Sequence, residues 1–442
     1  MERILSSKIS ESTGKTAKMC GWVHARRDHG KLIFIDLRDK DGLTQVVFVP
    51  SEKEAYAVGG SLHPEYVVEI EGEVNARPDN MINDKIISGK VELLAKKISI
   101  IGTAKEIPFE LGTNLQIDTY LDNLPFTLRD EKAQAIFRVQ SVVIKAFRDF
   151  LNSQGFTEFQ APKLIGDDAE GGANSFNVEY FGHTVHLAQS PQLYKQIMVG
   201  VFERVFATGN VYRAEKHSTS RHINEYTSMD FEMGFIETHE DVMKMENDFL
   251  AYTIDILKKE CAKEFELLGA DIPIVPTEIP KMKLREAQAI IKEKYGEDCL
   301  RAPDLDPQHE RWLCEYSRET FGSDFIFITH FPITKRPFYT MEDSADPGYA
   351  KGFDLLFRGV EITTGAQRIH DYDTLVRSLE GRGMPVDNFS FYLEAFKYGM
   401  PPHGGLGFGL ERFTAKLLNL DNIKMATLFP RDLNRIDVLL SK

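Results

Sequence analysis

Residues 204–235, RVFATGNVYRAEKHSTSRHINEYTSMDFEMGF, decide how this chain is read. Alternating apolar residues on both sides of a polar stretch predict a strand, a loop over Lys216–Asn224 and a return strand. Side chains two apart share a face, so Arg213 goes with Glu215, and Tyr226 with Ser228, Asp230 and Glu232, while Met229, Phe231 and Met233 take the core face. A sheet face so crowded with charge needs a charged ligand, a metal or water. The plain alternative is a solvated antiparallel sheet with surface ion pairs. The rest of the chain decides between them.

At 442 residues the chain exceeds one core and predicts two or three domains. Its 42% hydrophobic and 27% charged content is that of a globular protein, and neither a membrane-length apolar run nor a signal-peptide pattern is present, so a cytoplasmic protein is expected. Four scattered cysteines with no CxxC pair signal neither a zinc site nor a disulfide framework. The formal charge of -14 argues against indiscriminate nucleic-acid binding. Residues 1–100 balance 15 Lys and Arg against 15 Asp and Glu, so the N-terminal part is the better place for an anionic polymer.

That part, residues 1–102, is a run of short alternating segments (KMCGWVHARR, KLIFIDLRD, TQVVFVP, YVVEIEGEV, VELLAKKISII) punctuated by Gly and Asp, which predicts a five-stranded OB-fold barrel. Such barrels stack bases on aromatics beside basic groups, and Phe34, Arg26, Arg27, Arg38 and Gln45 could serve; for Phe34 a place in the barrel core is an equal reading. Residues 103–130, with Pro108 and Pro125 and little periodicity, read as a linker. Residues 131–442 form the second domain, an α+β fold with a mixed, mainly antiparallel sheet flanked by helices. It opens on an amphipathic helix with Ile136, Val139, Val142, Val143, Ala146 and Phe150 on one stripe, ended by Gly155.

Four later stretches carry chemistry. Gly166–Phe176 is an acidic, Gly-rich loop. AQSPQLYKQ passes from strand to helix, placing Ser190, Gln192 and Lys195 about a helix start. In FDLLFRGVEITTGAQR, Asp354 and Glu361 are seven apart and share a face only if a bulge near Arg358 or Gly359 intervenes; two such carboxylates beside phosphates suit Mg2+. GLGFGLERF is a glycine-rich strand running into a helix whose free N–H groups and first-turn Arg412 suit a phosphate. Residues 270–325 show no motif and read as an insertion shielding one side of the sheet.

Together these stretches resemble the three signature motifs of class II aminoacyl-tRNA synthetases: the helix, strand and Pro162 motif 1, RAEKHSTSRHINEYTSMDFE motif 2, GLGFGLERF motif 3. The barrel is similar to the anticodon-binding domain of the aspartate, asparagine and lysine subgroup, and GWVHARRDHGKLIFIDLRDKDGLTQVVF, AQSPQLYKQ, YGMPPHGG and FPRD are similar to the aspartyl members. The resemblance implies ATP-dependent attachment of L-aspartate to tRNA(Asp) through an aspartyl-adenylate, with Mg2+ as cofactor and a homodimer built on motif 1. An asparaginyl enzyme is the alternative, set aside on Lys195.

By the same resemblance, Arg213 holds the α-phosphate of ATP and the substrate carboxylate, Glu215 the adenine side, Tyr226 stacks on adenine, and Arg412 covers its other face. Arg221, His222 and Gly409 complete the ATP set, and Arg213, Arg412 and Glu361 carry catalysis. Asp354, Glu361 and Thr364 hold the metal. Glu170, Ser190, Gln192 and Asp230 surround the amino acid's ammonium, Thr364 lies beside it, and Lys195 and Arg368 hold its side-chain carboxylate. In the barrel, Phe34 and Gln45 read the central anticodon base with Arg26 beside them. His24 and Pro78 are of the types found in relaxed members that also charge tRNA(Asn). Departures are LDNLPFTLRDE in place of a more basic pattern, GDDAEGGAN without a hydroxyl residue before Glu170, and only about 125 residues between motif 2 and Glu361. That short spacing resembles archaeal catalytic domains.

Overall fold

In a computed structural model describing residues 1–166 and 175–440, the chain divides into two units, Met1–Glu110 and Leu111–Lys442. The first is a closed barrel of β1 (Thr16–His29), β2 (Leu32–Arg38), β3 (Leu43–Phe48), β4 (Val67–Ala76) and β5 (Val91–Gly102) in the order β1-β2-β3-β5-β4. Helix α1 (Lys53–Gly59) lies between β3 and β4 in sequence. Strict alternation along β2 sends Ile33, Ile35 and Leu37 inward against Val46, Phe48, Ile70 and Leu93. This is the barrel that the N-terminal pattern predicts.

The second unit begins earlier than the helical pattern at residue 131. Helices α2 (Ile117–Asp122) and α3 (Leu124–Thr127) occupy the stretch read as a linker. Arg435, 1% exposed, joins α2 to the C-terminal segment through Asp118 at 3.0 Å and Asp122 at 2.5 Å. Its partners lie over three hundred residues away in sequence, so local pattern could not announce them. Next comes α4 (Glu131–Ser153), capped by the Asp130 carboxylate, which accepts from the backbone N–H of Lys132 and Ala133.

The central sheet has eight strands. From one edge they are β12 (Lys281–Lys283), β13 (Phe325–Thr329), β14 (Gly352–Phe357), β15 (Val360–Gln367), β16 (His403–Gly409), β11 (Glu225–Gly234), β10 (Arg204–Tyr212) and β6 (Thr157–Glu158). Only the outermost pairs, β12 with β13 and β6 with β10, are parallel. A smaller sheet holds β7 (Leu164–Ile165), β8 (Asn177–Tyr180) and β9 (His183–Leu187).

The hairpin β10–β11 lies toward the β6 edge of the eight-stranded sheet. Its Met229, Phe231 and Met233 face a core shared with α4 and with α6 (His239–Glu260), as the alternation predicts. α6 ends at Glu260, and α7 (Ala262–Leu268) follows after Cys261. On the opposite side pack α5 (Gln192–Phe202), α10 (Tyr372–Gly381) and α11 (Ser390–Lys397). Helices α8 (Leu284–Tyr295) and α9 (Pro307–Phe321) carry the stretch without motifs and pack on β13 and β14 through Leu284, Leu313, Ile326 and Leu356. Strand β16 runs directly into α12 (Leu410–Leu417).

One carboxyl group sits inside this core. Glu246 of α6 is fully buried, and burial pushes it up to about 8 from its ordinary 4.5, with the nearby Thr363 hydroxyl pulling the other way. Between those values the unfolded chain has released the proton and the folded chain keeps it, so this group's contribution falls as pH rises. Glu246→Gln should therefore gain stability relative to the unaltered protein as pH rises through that window, measured by urea unfolding at a series of pH values.

Candidate active site

The charged face of β11, with β15 and β16 beside it, lines a cleft of about 570 Å³. β10 ends at Tyr212, paired with Glu225, so Arg213 and Glu215 stand beyond the strand rather than on it; the loop runs over residues 213–224. Both still line the cleft, with Arg221, His222 and Tyr226. The Arg213 guanidinium carbon lies 5.8 Å from the centre of the Tyr226 ring. The C-terminal segment holds the loop: Ile423 N–H donates to Ser220 O at 2.9 Å and Asn224 N–H to Arg431 O at 2.7 Å.

At one end of the cleft four charged side chains, each at most 5% exposed, form a network. Lys195 Nζ donates to Asp230 Oδ2 at 2.8 Å and Leu406 O at 2.9 Å, and lies 3.4 Å from Glu232 Oε2. Arg368 Nε donates to Glu232 Oε1 at 2.8 Å, and its Nη2 to Gly405 O at 2.8 Å and Gln192 Oε1 at 3.3 Å. Burial would raise the Glu232 carboxyl, but Arg368 and Lys195 outweigh it and hold it below the usual range. A Cβ at Gly405 would lie 2.1 Å from Phe231 O and 2.3 Å from Glu232 Oε2, so glycine there leaves room for this packing. Ser190, Gln192, Asp230 and Arg368 reach the cleft wall, whereas Lys195 sits one layer back, behind Asp230. Glu232 was not among the expected site residues, although its place on the charged face was the available signal. Glu170 and most of its loop lie outside the described residues.

At the other end Glu361, Thr364 and Arg412 line the wall. Asp354 and Glu361 belong to adjacent strands joined by a tight turn at Arg358 and Gly359, both with positive φ. The bulge is at Ile362, where Leu355 pairs with Thr363 but Leu356 with Glu361, and not at the turn as expected. That extra residue puts Glu361 on the face of Thr364, whose hydroxyl donates to Glu361 Oε1 at 2.9 Å. Arg412, in the first turn of α12, donates to Glu361 O at 3.2 Å, its Nη1 4.0 Å from Glu361 Oε1. The neighbouring Glu411 accepts from Thr227 N–H at 3.0 Å on both oxygens, tying the helix start to β11.

Asp354 is 6% exposed and is not on the cleft wall; Arg336 grips both its oxygens at 3.0 and 2.8 Å. Burial pushes the Asp354 carboxyl up, Arg336 pulls it down, and Glu361 adds to the rise, leaving it at about 6. Glu310 of α9 is likewise raised, to about 7, by burial and Glu361 against Arg221 and Arg412. The oxygens of Glu361 and Thr364, with the Asp354 carboxylate behind them, are of the kind that a hard divalent cation takes. A second cluster, Glu297, Asp306 and His309, fits one poorly. There the Asp306 N–H donates to His309 Nδ1, which leaves the ring proton on Nε2, facing Glu297 at 3.0 Å.

In the barrel, Phe34 points outward, half-buried, with its ring edge-on to His29 at 6.0 Å, which removes the core reading. Register places it opposite Arg27 and near Gln45, which faces Asp36 and donates to Glu92 Oε2 at 2.9 Å. Arg26 is turned to the barrel itself, binding Asp28 and the carbonyls of Gly60 and Leu62. His24 is exposed beside Arg38, 3.3 Å away, and Pro78 is exposed at the end of β4.

Residues 116–433 match the family described as tRNA synthetases class II (D, K and N), and residues 17–101 the OB-fold nucleic acid binding domain. The aspartate–tRNA(Asp/Asn) ligase of Deinococcus radiodurans is 46% identical, with 99% of each chain covered. The aspartate–tRNA(Asp) ligase of Pyrococcus furiosus is 37% identical over 98% of each chain. Among solved structures, asparaginyl-tRNA synthetase from Pyrococcus horikoshii with asparaginyl-adenylate superposes with a TM-score of 0.89 at 30% identity, 99% of each chain covered.

The network of Lys195, Asp230, Glu232 and Arg368 makes a direct demand on stability. Glu232→Ala should cost about 3 kcal/mol or more in urea unfolding, since two buried cations lose a partner, whereas Arg213→Ala at the cleft wall should stay within about 1 kcal/mol.

Proposed function

On the premise that this chain belongs to the class II tRNA synthetases of the D, K and N group, we propose that it joins L-aspartate to tRNA(Asp) at the expense of ATP. The observation that carries the reading is the meeting in one cleft of Arg213, Arg412 and Glu361 with Arg368 and Gln192 at its far end. Full-length similarity to aspartate–tRNA ligases supports the amino acid. The overlay with an asparaginyl enzyme reflects a backbone common to the group and does not separate the two substrates.

The chemistry needs no protein nucleophile. An oxygen of the aspartate α-carboxylate attacks the α-phosphorus in line, the bond to the bridging oxygen breaks, and pyrophosphate leaves. A ribose hydroxyl at the tRNA terminus then takes the aspartyl group and AMP leaves. Arg213 and Arg412 would neutralise the phosphate oxygens, His222 and Tyr226 would border the nucleotide, and Gly409 would bring the helix start close to it. Losing one preorganised donor of this kind costs about 3 kcal/mol of barrier. Glu361 and Thr364, with Asp354 behind them, would hold Mg2+, which when bound supplies charge neutralisation to phosphate oxygens. Arg368 on the wall and Lys195 behind Asp230 would supply the positive potential for the substrate's side-chain carboxylate, and Asp230 the charge for its ammonium.

The outward face of the barrel around Phe34 and Gln45 would take the anticodon. His24 and Pro78 favour charging of tRNA(Asn) as well, and among the relatives both the Asp and the Asp/Asn types occur. Helix α4 and the strand after it, with Pro162, would support a homodimer. Among the described residues no helix is long and apolar enough to cross a membrane, and the cytoplasm is the proposed setting.

ATP–pyrophosphate exchange should be driven by aspartate; exchange with asparagine alone would favour the asparaginyl reading. Transcripts of both tRNAs, offered side by side with aspartate, should both be charged, and charging of tRNA(Asp) only would remove the relaxed reading. Lys195→Leu should raise the KM for aspartate far more than that for ATP, and an equal rise would remove its role at the amino-acid end.

A further inference from the structure

The stretch over residues 270–325 carries no motif, yet it delivers a side chain to the phosphate end of the cleft. Glu310 stands in the first turn of α9, whose start is capped by Asp306. Its Oε2 accepts from Arg221 Nη1 at 3.3 Å, while Arg221 Nη2 donates to Gly359 O at 2.7 Å. The guanidinium is thus docked at two points, one on a helix and one on the β14–β15 turn. Both side chains are largely shielded, Arg221 24% and Glu310 14% exposed, so the pair is less screened than a surface ion pair.

The turn is shaped for this contact. Gly359 has φ +83°, and a Cβ there would lie 2.9 Å from Arg311 Cγ. Helix α9 can therefore approach the turn closely enough for Glu310 and Gly359 O to share one guanidinium. Arg221 belongs to the loop 213–224, whose backbone is held by hydrogen bonds at Ser220 and Asn224, so the Glu310 and Gly359 contacts together determine where its side chain ends.

We propose that Glu310 is a positioning residue for ATP: with Gly359 O it docks the Arg221 guanidinium on the wall of the cleft where the triphosphate lies. This rests on the reading of the cleft as an ATP site. Without Glu310 the long Arg221 side chain keeps only the Gly359 contact, and its encounter with phosphate carries more of the ordering cost that the doubly docked form avoids. The residues that read as a shield thereby take part in nucleotide binding.

The test compares Glu310→Ala, Glu310→Gln, Arg221→Ala and the double variant, with ATP binding by calorimetry and both KM values from aspartate-dependent pyrophosphate exchange. Glu310→Ala should weaken ATP about tenfold, the scale of one hydrogen bond to a charged group, and leave the KM for aspartate within about twofold. Glu310→Gln keeps a carbonyl acceptor and should recover a good part of the loss. The double variant should bind ATP no more weakly than Arg221→Ala. Additive losses, an equal rise in both KM values, or a Glu310→Ala variant that binds ATP like the unaltered protein would overturn the proposal alone. An unaltered protein that binds no ATP would overturn the reading of the site and the proposal with it.

Discussion

The catalytic unit depends on one buried charge network. Lys195 from α5, Asp230 and Glu232 from β11 and Arg368 just after β15 carry two positive and two negative charges with almost no access to water. Ions taken out of water are costly unless each finds partners of good geometry, so the four fix one another's positions. Because they come from three separate elements, they also fix how α5 and the end of β15 sit on the β10–β11 hairpin.

The other end of the cleft follows a different rule. There three arginines each have a carboxylate beside them: Arg221 with Glu310, Arg336 with Asp354, Arg412 near Glu361. Asp354 and Glu310 nonetheless remain raised, chiefly because both are buried and in part because Glu361 lies near each of them. Arg336, stacked over Phe331 at 4.0 Å, and Glu310 were not visible in the sequence as site residues, because each is defined by a partner far along the chain.

Much of the fold was legible. Period-two alternation in the first hundred residues identified the barrel, and the stripe from Ile136 to Phe150 identified α4. Both patterns are local and record which side faces a core. The linker reading was incomplete for the opposite reason: α2 is short, and the interaction that ties it down is its contact with Arg435. The bulge was foreseen but misplaced, since Arg358 and Gly359 have the backbone of a tight turn and the extra residue is Ile362. Arg213 and Glu215 share the cleft although the strand meant to align them stops at Tyr212.

The sequence by itself determined the two-unit plan, the charged face of the β10–β11 hairpin and the types of residue that gather around it, because alternation, glycine runs and motif order are written along the chain. Only the tertiary structure decided which charges meet. It set Lys195 behind Asp230 rather than on the cleft wall, gave Asp354 to Arg336, turned Phe34 outward and brought Glu310 to Arg221. Charge pairing acts over a few ångströms in space and is blind to separation in sequence, so it is settled only once the strands and helices have packed.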